Sequence, residues 1–465
     1  MSLRQDVIKG GAFLVGRQAA GIVLSLAGVL LVTRIIGPHQ YGIYATAVGI
    51  VLFLTNLGTW GLDVYLLRAT AEPTADEFNQ VFTLLALIAL VFAGGIFAFS
   101  NGIARLVRTP AVGPVIAVLA LGIPFDQLAT PAIIKLDRAL NFRRVAWMEL
   151  ASQLAFYVPA VPLAIRRGDA WAPVAGYLTQ QISLLVLSNW GTGFRPRWHW
   201  EMGLIRRMLS YGTSYSSSIW VWQLRDLVNP LIVGRFAGVD GVAFVAVSIR
   251  IASLLALAKS VTWRVAMAAL AKLDGNRDRL RKSISEGMRL QTFAVGLPLA
   301  GFALVAPFAL PLVFGPRWSP SLAVFPFIAL SYLSNAMFNL HSSVLYLLQK
   351  NWEVTWFHCV HILLFAASAI VLVPRLGFAG YGWAEVVALA SYLVIHLFVA
   401  REVGSPSYGM AAIWYFTAAA IFALCVIGPP VAYLGFLVLL VPILLPRERA
   451  SLLGYAQILL SRANV

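Results

Sequence analysis

The sequence predicts an all-α polytopic membrane protein, and three observations carry that prediction. The chain has 465 residues, of which 60% are hydrophobic and only 12% charged, and its mean hydropathy is +0.81. Segments such as 81–100 and 411–445 are apolar on every side, where a soluble helix would keep a polar face. Apolar runs recur from Gly11 to Pro446 without a long polar block. Hydrocarbon offers the backbone no hydrogen-bond partner, so segments of this kind must satisfy themselves as helices.

Taken at about 20 apolar residues per crossing, the chain reads as about fourteen spans. The polar start MSLRQDVIKG lacks a small-residue cleavage site and leads into a first, retained span at 11–36. The turn at Gly37-Pro38 separates it from a span at 41–67, which stops at Arg68 and the polar run EPTADE. Spans follow at 79–100, at 113–134 before the basic DRALNFRR, at 145–165 before Arg166-Arg167-Gly168, and at 172–190. Residues 191–207 (GTGFRPRWHWEMGLIRR) are polar, basic and Gly/Pro-containing, and read as a linker. Further spans are expected at 208–234, 241–268, 289–314, 319–348, 354–374, 377–399, 409–427 and 428–446. The tail 447–465 is amphipathic and suits the inner membrane interface.

One motif occurs twice. Residues 31–49 read LVTRIIGPHQYGIYATAVG and residues 232–250 read IVGRFAGVDGVAFVAVSIR. Without gaps, Arg34 falls on Arg235, Gly37 on Gly238, Gly42 on Ala243 and Ala45 on Ala246. Six spans precede the second copy, so both copies start from the same side of the membrane, as parallel repeats do. The expected organisation is an N-lobe at 1–190 (spans 1–6), a cytoplasmic linker at 191–207 and a C-lobe at 208–400 (spans 7–12). Two additional spans at 401–446 and a cytoplasmic amphipathic tail at 447–465 complete it.

The formal charge of +16 would suggest nucleic acid in a soluble protein, but its distribution follows topology. Basic residues cluster in loops on the N-terminal side, such as Lys135, Arg138, Arg143 and Arg144, then Arg195, Arg197, Arg206 and Arg207, then Lys272, Arg277, Arg279, Arg281 and Lys282. The opposite loops carry fewer, so both termini belong in the cytoplasm and no nucleic-acid partner is required. Cys359 and Cys425 lie in apolar segments and serve as packing residues.

Ionisable groups inside spans are expensive and mark function by default. The set is mostly cationic: Arg17, Arg225, Arg250, Lys259, Arg264 and Arg289, against Asp63, Asp126, Glu149, Asp226 and Glu385. On an unbroken helix Arg225 and Asp226 point about 100° apart, and Arg250 and Arg264 share an azimuth about 21 Å apart along the axis. Arg17, Arg225, Arg250 and Arg264 are therefore candidates for a cationic lumen, and Asp63, Asp126 and Glu385 for ion coupling. Lys259 and Arg264 have the alternative of reaching back to the interface. Span 7 adds hydroxyls, amides and Trp220 and Trp222, which suit sugar and phosphate oxygens or merely close helix packing. His341, His358, His361 and His396 share no metal-ligand spacing. No metal site, cofactor or P-loop is expected, so an ion gradient or downstream polymerisation must supply the energy.

The segments LVTRIIGPHQYGIYATAV and DRALNFRRVAWMEL, with the later LIVGRFAGVDGVAFVA, resemble the polysaccharide-exporting flippases of the multidrug/oligosaccharidyl-lipid/polysaccharide exporter superfamily, and within it the colanic-acid-exporter branch. The second copy departs at Val239, Asp240, Gly241 and Val245, where the first has Pro38, His39, Gln40 and Tyr44. The resemblance implies two six-helix lobes in a pseudo-twofold V with two extra C-terminal helices and a cationic cavity. It further implies inner-membrane translocation of an undecaprenyl-pyrophosphate-linked oligosaccharide by alternating access. Membrane lipids and polysaccharide polymerase or export machinery are the implied partners, and the protein is not an enzyme. An ion-coupled multidrug exporter would line its lumen with acids, and a glycan polymerase or ligase would need a larger outer loop; a scramblase or scaffold is the third rival. Arg34 and Arg235 fall at the outer ends of their spans, so the repeated turn reads as an outer gate hinged at Gly37 and Gly238.

Overall fold

The computed structural model describes residues 3–69, 71–259, 276–446 and 448, with side chains described from Gly28 onward except at positions 29, 214, 215, 218 and 443. Among the described residues there is helix and loop but no strand. The first half runs α1 (Leu3–Gly58), α2 (Leu62–Arg68), α3 (Ala75–Leu106), α4 (Val112–Leu119), α5 (Gly122–Arg138), α6 (Phe142–Arg167) and α7 (Trp171–Thr192). The second half continues with α8 (Met202–Gln223), α9 (Gly234–Leu255), α10 (Arg277–Phe314), α11 (Phe325–Leu347), α12 (Asn351–Leu376), α13 (Ala379–Ala388), α14 (Tyr392–Val403), α15 (Gly409–Ile427) and α16 (Gly435–Leu444).

The described parts of all fourteen expected spans are helical, but by length and apolarity nine described helices can cross a membrane, or ten if the bent pair Pro316–Ala323 and Phe325–Leu347 is one span. The difference has local causes. Spans 1 and 2 meet within α1 at a non-helical kink at Gly37, as expected, and spans 7 and 8 fall in the stretch Ile219–Leu255, which holds the equivalent kink at Gly238. The sixth span, α7, carries Gln180, Gln181, Ser183, Ser188 and Asn189 and is too polar to qualify alone. The fourteenth is the short helix Val431–Pro442.

Two compact units divide the chain: Met1–Phe244 with Val313–Trp318, and Val245–Leu312 with Ser319–Val465. In the first, Ile43, Val51, Ile116, Leu119, Ile123 and Val174 form the main core, and Leu62, Leu66, Val81, Leu85 and Met208 a second one. In the second, Leu280, Ile284, Met288, Leu340, Val344 and Phe357 pack with Ile395 and Val399. Between helices in lipid such contacts act through close packing more than through release of water.

The duplication is visible in the backbone where the sequence had lost it. α6 and α12 are both 26 residues long. Each starts from the same turn, with Leu140 at φ 53° and Asn141 at φ −85°, ψ 54° in one copy. Gln349 at φ 60° and Lys350 at φ −89°, ψ 54° repeat it in the other. The hydrogen bonds agree as well: Asn141 N donates to Leu136 O (2.9 Å) and Lys350 N to Leu345 O (2.8 Å). Only the accepting leucine, Leu136 in one copy and Leu345 in the other, is identical across this turn.

Helix ends obey ordinary capping. Thr74 and Glu77 make a reciprocal capping box on α3, and the Asn141 carboxamide caps α6. The linker is held by side chains of α3: the amides of Arg197, His199 and Glu201 donate to Asn79 Oδ1 (3.0 Å), Thr83 Oγ1 (3.1 Å) and Gln80 Oε1 (2.8 Å). Of the tail expected at 447–465, all but Glu448 lies outside the described residues.

Arg138 closes α2. Its Nη1 donates to the carbonyls of Leu66 (2.8 Å), Leu67 (3.1 Å) and Ala69 (3.1 Å), and its Nη2 to that of Ala71 (3.2 Å). One planar guanidinium thus satisfies the end of a helix whose last carbonyls have no intrahelical partner. Arg138→Ala is expected to destabilise the detergent-solubilised protein by about 2 kcal/mol, and Arg138→Lys to recover only part of it. Thermal unfolding of the purified variants measures this.

Candidate functional site

The repeated turn is the best-defined local geometry in the first unit. Gly37 has φ 76°, ψ 174° and Gly238 has φ 73°, ψ 176°, so both copies adopt one conformation from a region essentially restricted to glycine. Arg34 Nη1 donates to Val313 O at 3.2 Å and Arg235 Nη1 to Leu106 O at 2.9 Å. Val313 and Leu106 end α10 and α3, so each guanidinium sits on the carbonyl end of a helix belonging to the other copy of the repeat.

Between these contacts lies a pair of equivalent positions. His39 Nδ1 is 2.9 Å from Asp240 Oδ1, and the two residues are 201 positions apart, the register of the repeat itself. A local twofold relation therefore passes between them. At 62% and 55% side-chain exposure the pair is solvated and contributes about 1 kcal/mol at most. Shape holds the contact more firmly: a Cβ on Gly42 would come within 1.9 Å of Val239 O, so the two helices touch backbone to backbone. Trp318, 1% exposed, packs edge-on against Tyr41 (5.6 Å) and Phe244 (6.2 Å) from either copy.

The cationic candidates are distributed over both units. Arg225 belongs to the first unit and stands on a single 3₁₀ turn, Leu224–Leu227, followed by a π-turn, Val228–Val233. The unbroken helix expected here is thus corrected, because Pro230 within the π-turn has no amide to donate and the ladder must widen. Arg225 and Asp226 consequently diverge by about 120° rather than 100°. The guanidinium carbon of Arg225 lies 5.5 Å from the Trp222 ring centre, and Asn229 Nδ2 donates to Val242 O at 3.3 Å. Arg250 belongs to the second unit and is exposed on α9. The side chain of Arg17, and Arg264 altogether, lie outside the described residues. Two other in-span cations are engaged within the second unit. Lys259 contacts Asn335 Oδ1, and Arg289 pairs at 2.8 Å with Glu448, which also accepts from Trp414 Nε1 at 2.9 Å.

The acidic candidates occupy three different settings. Asp63 lies in the first turn of α2, where the helix dipole favours an anion. Asp126 on α5 accepts from Gln181 Nε2 on α7 at 2.9 Å, and its neighbour Gln127 donates to Thr55 O on α1 at 2.6 Å. Glu385 on α13 is 1% exposed and accepts from Ser331 Oγ on α11 at 2.8 Å. Gln127 and Gln181 were missed in the sequence; their signal was a buried amide in each of two apolar spans. His341 and His396, also scattered in sequence, meet at the hydroxyl of Tyr408. A cavity of about 790 Å³ opens on one face of α8, lined by Met202, Ile205, Arg206, Leu209, Ser210 and Thr213.

A model of the polysaccharide biosynthesis protein family matches residues 31–323, more than half the chain and both copies of the repeated turn. The chain belongs to that family. It is 23% identical over 352 residues to the lipopolysaccharide biosynthesis protein WzxC of Escherichia coli K12, covering 74% of this chain and 70% of WzxC. It is 24% identical over 310 residues to the succinoglycan biosynthesis transport protein ExoT of Rhizobium meliloti, covering 66% of this chain and 62% of ExoT. Its fold is similar to the lipid II flippase MurJ in an inward closed conformation, with TM-score 0.71 at 14% identity over 90% of this chain and 97% of MurJ. An inward-facing multidrug resistance transporter of the MATE family matches with TM-score 0.55 at 15% identity, over 82% of this chain and 92% of that one. The all-α membrane fold and the polysaccharide-biosynthesis family expected from the residues are those found.

Alanine at Gly37 or Gly238 must adopt a backbone region that Cβ opposes, at about 1–3 kcal/mol each. Both single variants are expected to lower the unfolding temperature by similar amounts, since the two dihedral pairs are nearly identical. An alanine tolerated at one site and not at the other would show that the two turns carry different loads.

Proposed function

We propose that this protein is a flippase that moves undecaprenyl-pyrophosphate-linked oligosaccharide repeat units from the cytoplasmic to the periplasmic leaflet of the inner membrane for surface polysaccharide biosynthesis. The observation that carries the reading is the match of the polysaccharide biosynthesis family across both repeats. The names of its relatives agree with it: a lipopolysaccharide biosynthesis protein, a succinoglycan transport protein and, in fold, a lipid II flippase.

The physical task is to take a glycan and a pyrophosphate across about 30 Å of hydrocarbon while the polyprenyl tail stays in lipid. Guanidinium groups suit the phosphate end, because they bind phosphate oxygens in pairs and keep their charge when desolvated. Arg17, Arg225, Arg250 and Arg264 are the proposed lumen cations. The α8 face, with Arg206 among apolar and hydroxyl side chains, offers the mixed chemistry of a lipid headgroup's first contact. Alternating access between the repeat lobes 1–190 and 208–400, with Gly37 and Gly238 as the outer hinge, would expose this chemistry to one leaflet at a time. Asp63, Asp126 and Glu385 are the proposed coupling groups, and both termini are cytoplasmic. Polysaccharide polymerase and export machinery are the proposed downstream partners.

A deletion strain is expected to accumulate lipid-linked repeat units in the inner leaflet and to lose its surface polymer, read by lipid extraction and polymer staining. Normal polymer with unchanged lipid-linked pools would overturn the reading. Arg225→Ala and Arg250→Ala should each reduce polymer several-fold at normal membrane levels, as expected from losing a charge-assisted phosphate contact worth about 1.5–3 kcal/mol. Full export by both single variants and by the double variant would remove the cationic lumen.

A further inference from the structure

The second unit holds three ionisable rings in one chain of hydrogen bonds. His341 on α11 is completely buried, and its Nε2 lies 2.8 Å from the hydroxyl of Tyr408. His396 on α14 reaches the same oxygen from the other side, Nδ1 at 2.6 Å. Tyr408 is the residue that precedes the first turn of α15, and the loop leading to it is tied to α10 by Ser407 N donating to Ser285 Oγ at 2.8 Å. Phe338 packs over both His341 (4.9 Å) and Tyr408 (6.0 Å). Three helices thus converge on one hydroxyl.

Counting hydrogens assigns the direction of the chain. The hydroxyl has one hydrogen and two flanking nitrogens, so it donates to one imidazole and accepts from the other. His341 Nδ1 is buried and has no hydrogen-bond partner among the described residues. A bare nitrogen there is tolerable, whereas an N–H there would be a buried donor without an acceptor. The neutral arrangement is therefore His341 Nε2–H to Tyr408 Oη, and Tyr408 Oη–H to His396 Nδ1. It leaves one unused acceptor, the Nδ1 of His341.

We propose that His341, Tyr408 and His396 form a proton-binding site that couples proton movement to the working cycle of the second unit. A proton added at His341 Nδ1 sends the Nε2 hydrogen to Tyr408 Oη and the hydroxyl hydrogen to His396 Nδ1. Within the triad two bonds to hydrogen break and three form, the extra hydrogen being the proton released by hydronium, and the net product is an imidazolium at His396. Both hydrogen bonds survive with their direction reversed, but His341 now carries a buried N–H on the side that has no acceptor. That unmet donor exists only in the protonated triad, so proton occupancy changes the stability of the packing that joins α11, α14 and the start of α15. Naming substrate translocation as what the proton drives rests on the flippase reading; the proton site itself does not.

The surrounding groups are accounted for. His361 on α12 bonds Ser391 Oγ at 2.9 Å, and its neighbour His358 packs on Phe357. Tyr392 on α14 stacks on Phe338, and Tyr415 on α15 bonds Ser334 on α11 at 2.8 Å. From α10, Arg281, Lys282 and Glu286 line a separate cavity of about 410 Å³ with Ser285, Ser405 and Ser407. At the loop after α11, Lys350 pairs with Glu402 at 2.9 Å and lies 4.0 Å from Glu353, and the Glu402 contact holds the Lys350 ammonium above its usual range. Arg401 is exposed on the last turn of α14. The side-chain hydrogen bonds His341–Tyr408 and His396–Tyr408 both run within the triad.

The chain has six histidines, few enough to follow individually by nuclear magnetic resonance in ¹⁵N-histidine-labelled full-length protein in lipid nanodiscs, assigned by single His→Gln variants. His341 and His396 are expected to change their resonances together as the pH is varied, since coupled groups titrate as a unit. In Tyr408→Phe, which keeps the ring and removes the relay, the common response of the two imidazoles should be lost. Independent titration in the wild type, no titration at all, or an unchanged profile in Tyr408→Phe would each overturn the site. Should Tyr408→Phe fail to fold, His341→Gln tests the same link through the response of His396. Polymer export by a deletion strain carrying His396→Gln is expected to fall several-fold and to lose its dependence on external pH; full, pH-dependent export would overturn the coupling role. A deletion strain with no export defect would sink the flippase reading instead, while the resonance experiment still decides the proton site.

Discussion

Every backbone amide placed in hydrocarbon must find its partner inside the protein, and that constraint shapes the whole molecule. It leaves helix as the only regular structure among the described residues, and it makes each interruption a problem with a visible answer. At the end of α2 the answer is one guanidinium spread over four carbonyls. At the ends of α3 and α10 it is an arginine from the other copy of the repeat. Between α8 and α9, 3₁₀ and π-turns retain local hydrogen bonds around Pro230.

The repeated turn shows how a duplicated sequence becomes a working contact. Equivalent residues of two copies approach each other at a twofold relation, so a position on that relation meets its own counterpart. His39 and Asp240 are such counterparts, and divergence has turned a self-contact into a pair of complementary groups. Identical residues there would have placed like charges or like donors together. The arginines need no divergence, since each reaches across to a carbonyl and not to its equivalent. This is why Arg34 and Arg235 stayed the same while positions 39 and 240 did not.

Much of the candidate chemistry was legible as residue type and little as arrangement. In-span arginines and carboxylates could be enumerated because charge in hydrocarbon is costly wherever it occurs. Which of them meet depends on helix packing. Asp126 finds Gln181 from a helix fifty-five residues on, and Glu385 finds Ser331 fifty-four residues back. Neither spacing has a periodic signature. The same holds for His341 and His396, whose common partner is a tyrosine at a helix start.

The sequence by itself determined that the protein is a helical membrane protein, that the Gly37 turn is repeated at Gly238, and where its apolar segments lie. Those properties follow from hydropathy, turn chemistry and local hydrogen bonding, which act over a few residues at a time. Only the tertiary structure decided that the sixth, seventh and fourteenth spans depart from simple apolar helices, that the 140 and 349 turns are copies sharing a single leucine, and which buried polar groups are joined. Backbone conformation outlasts side-chain identity because many residues satisfy one turn, whereas a polar contact between helices exists only once packing has brought its two ends together.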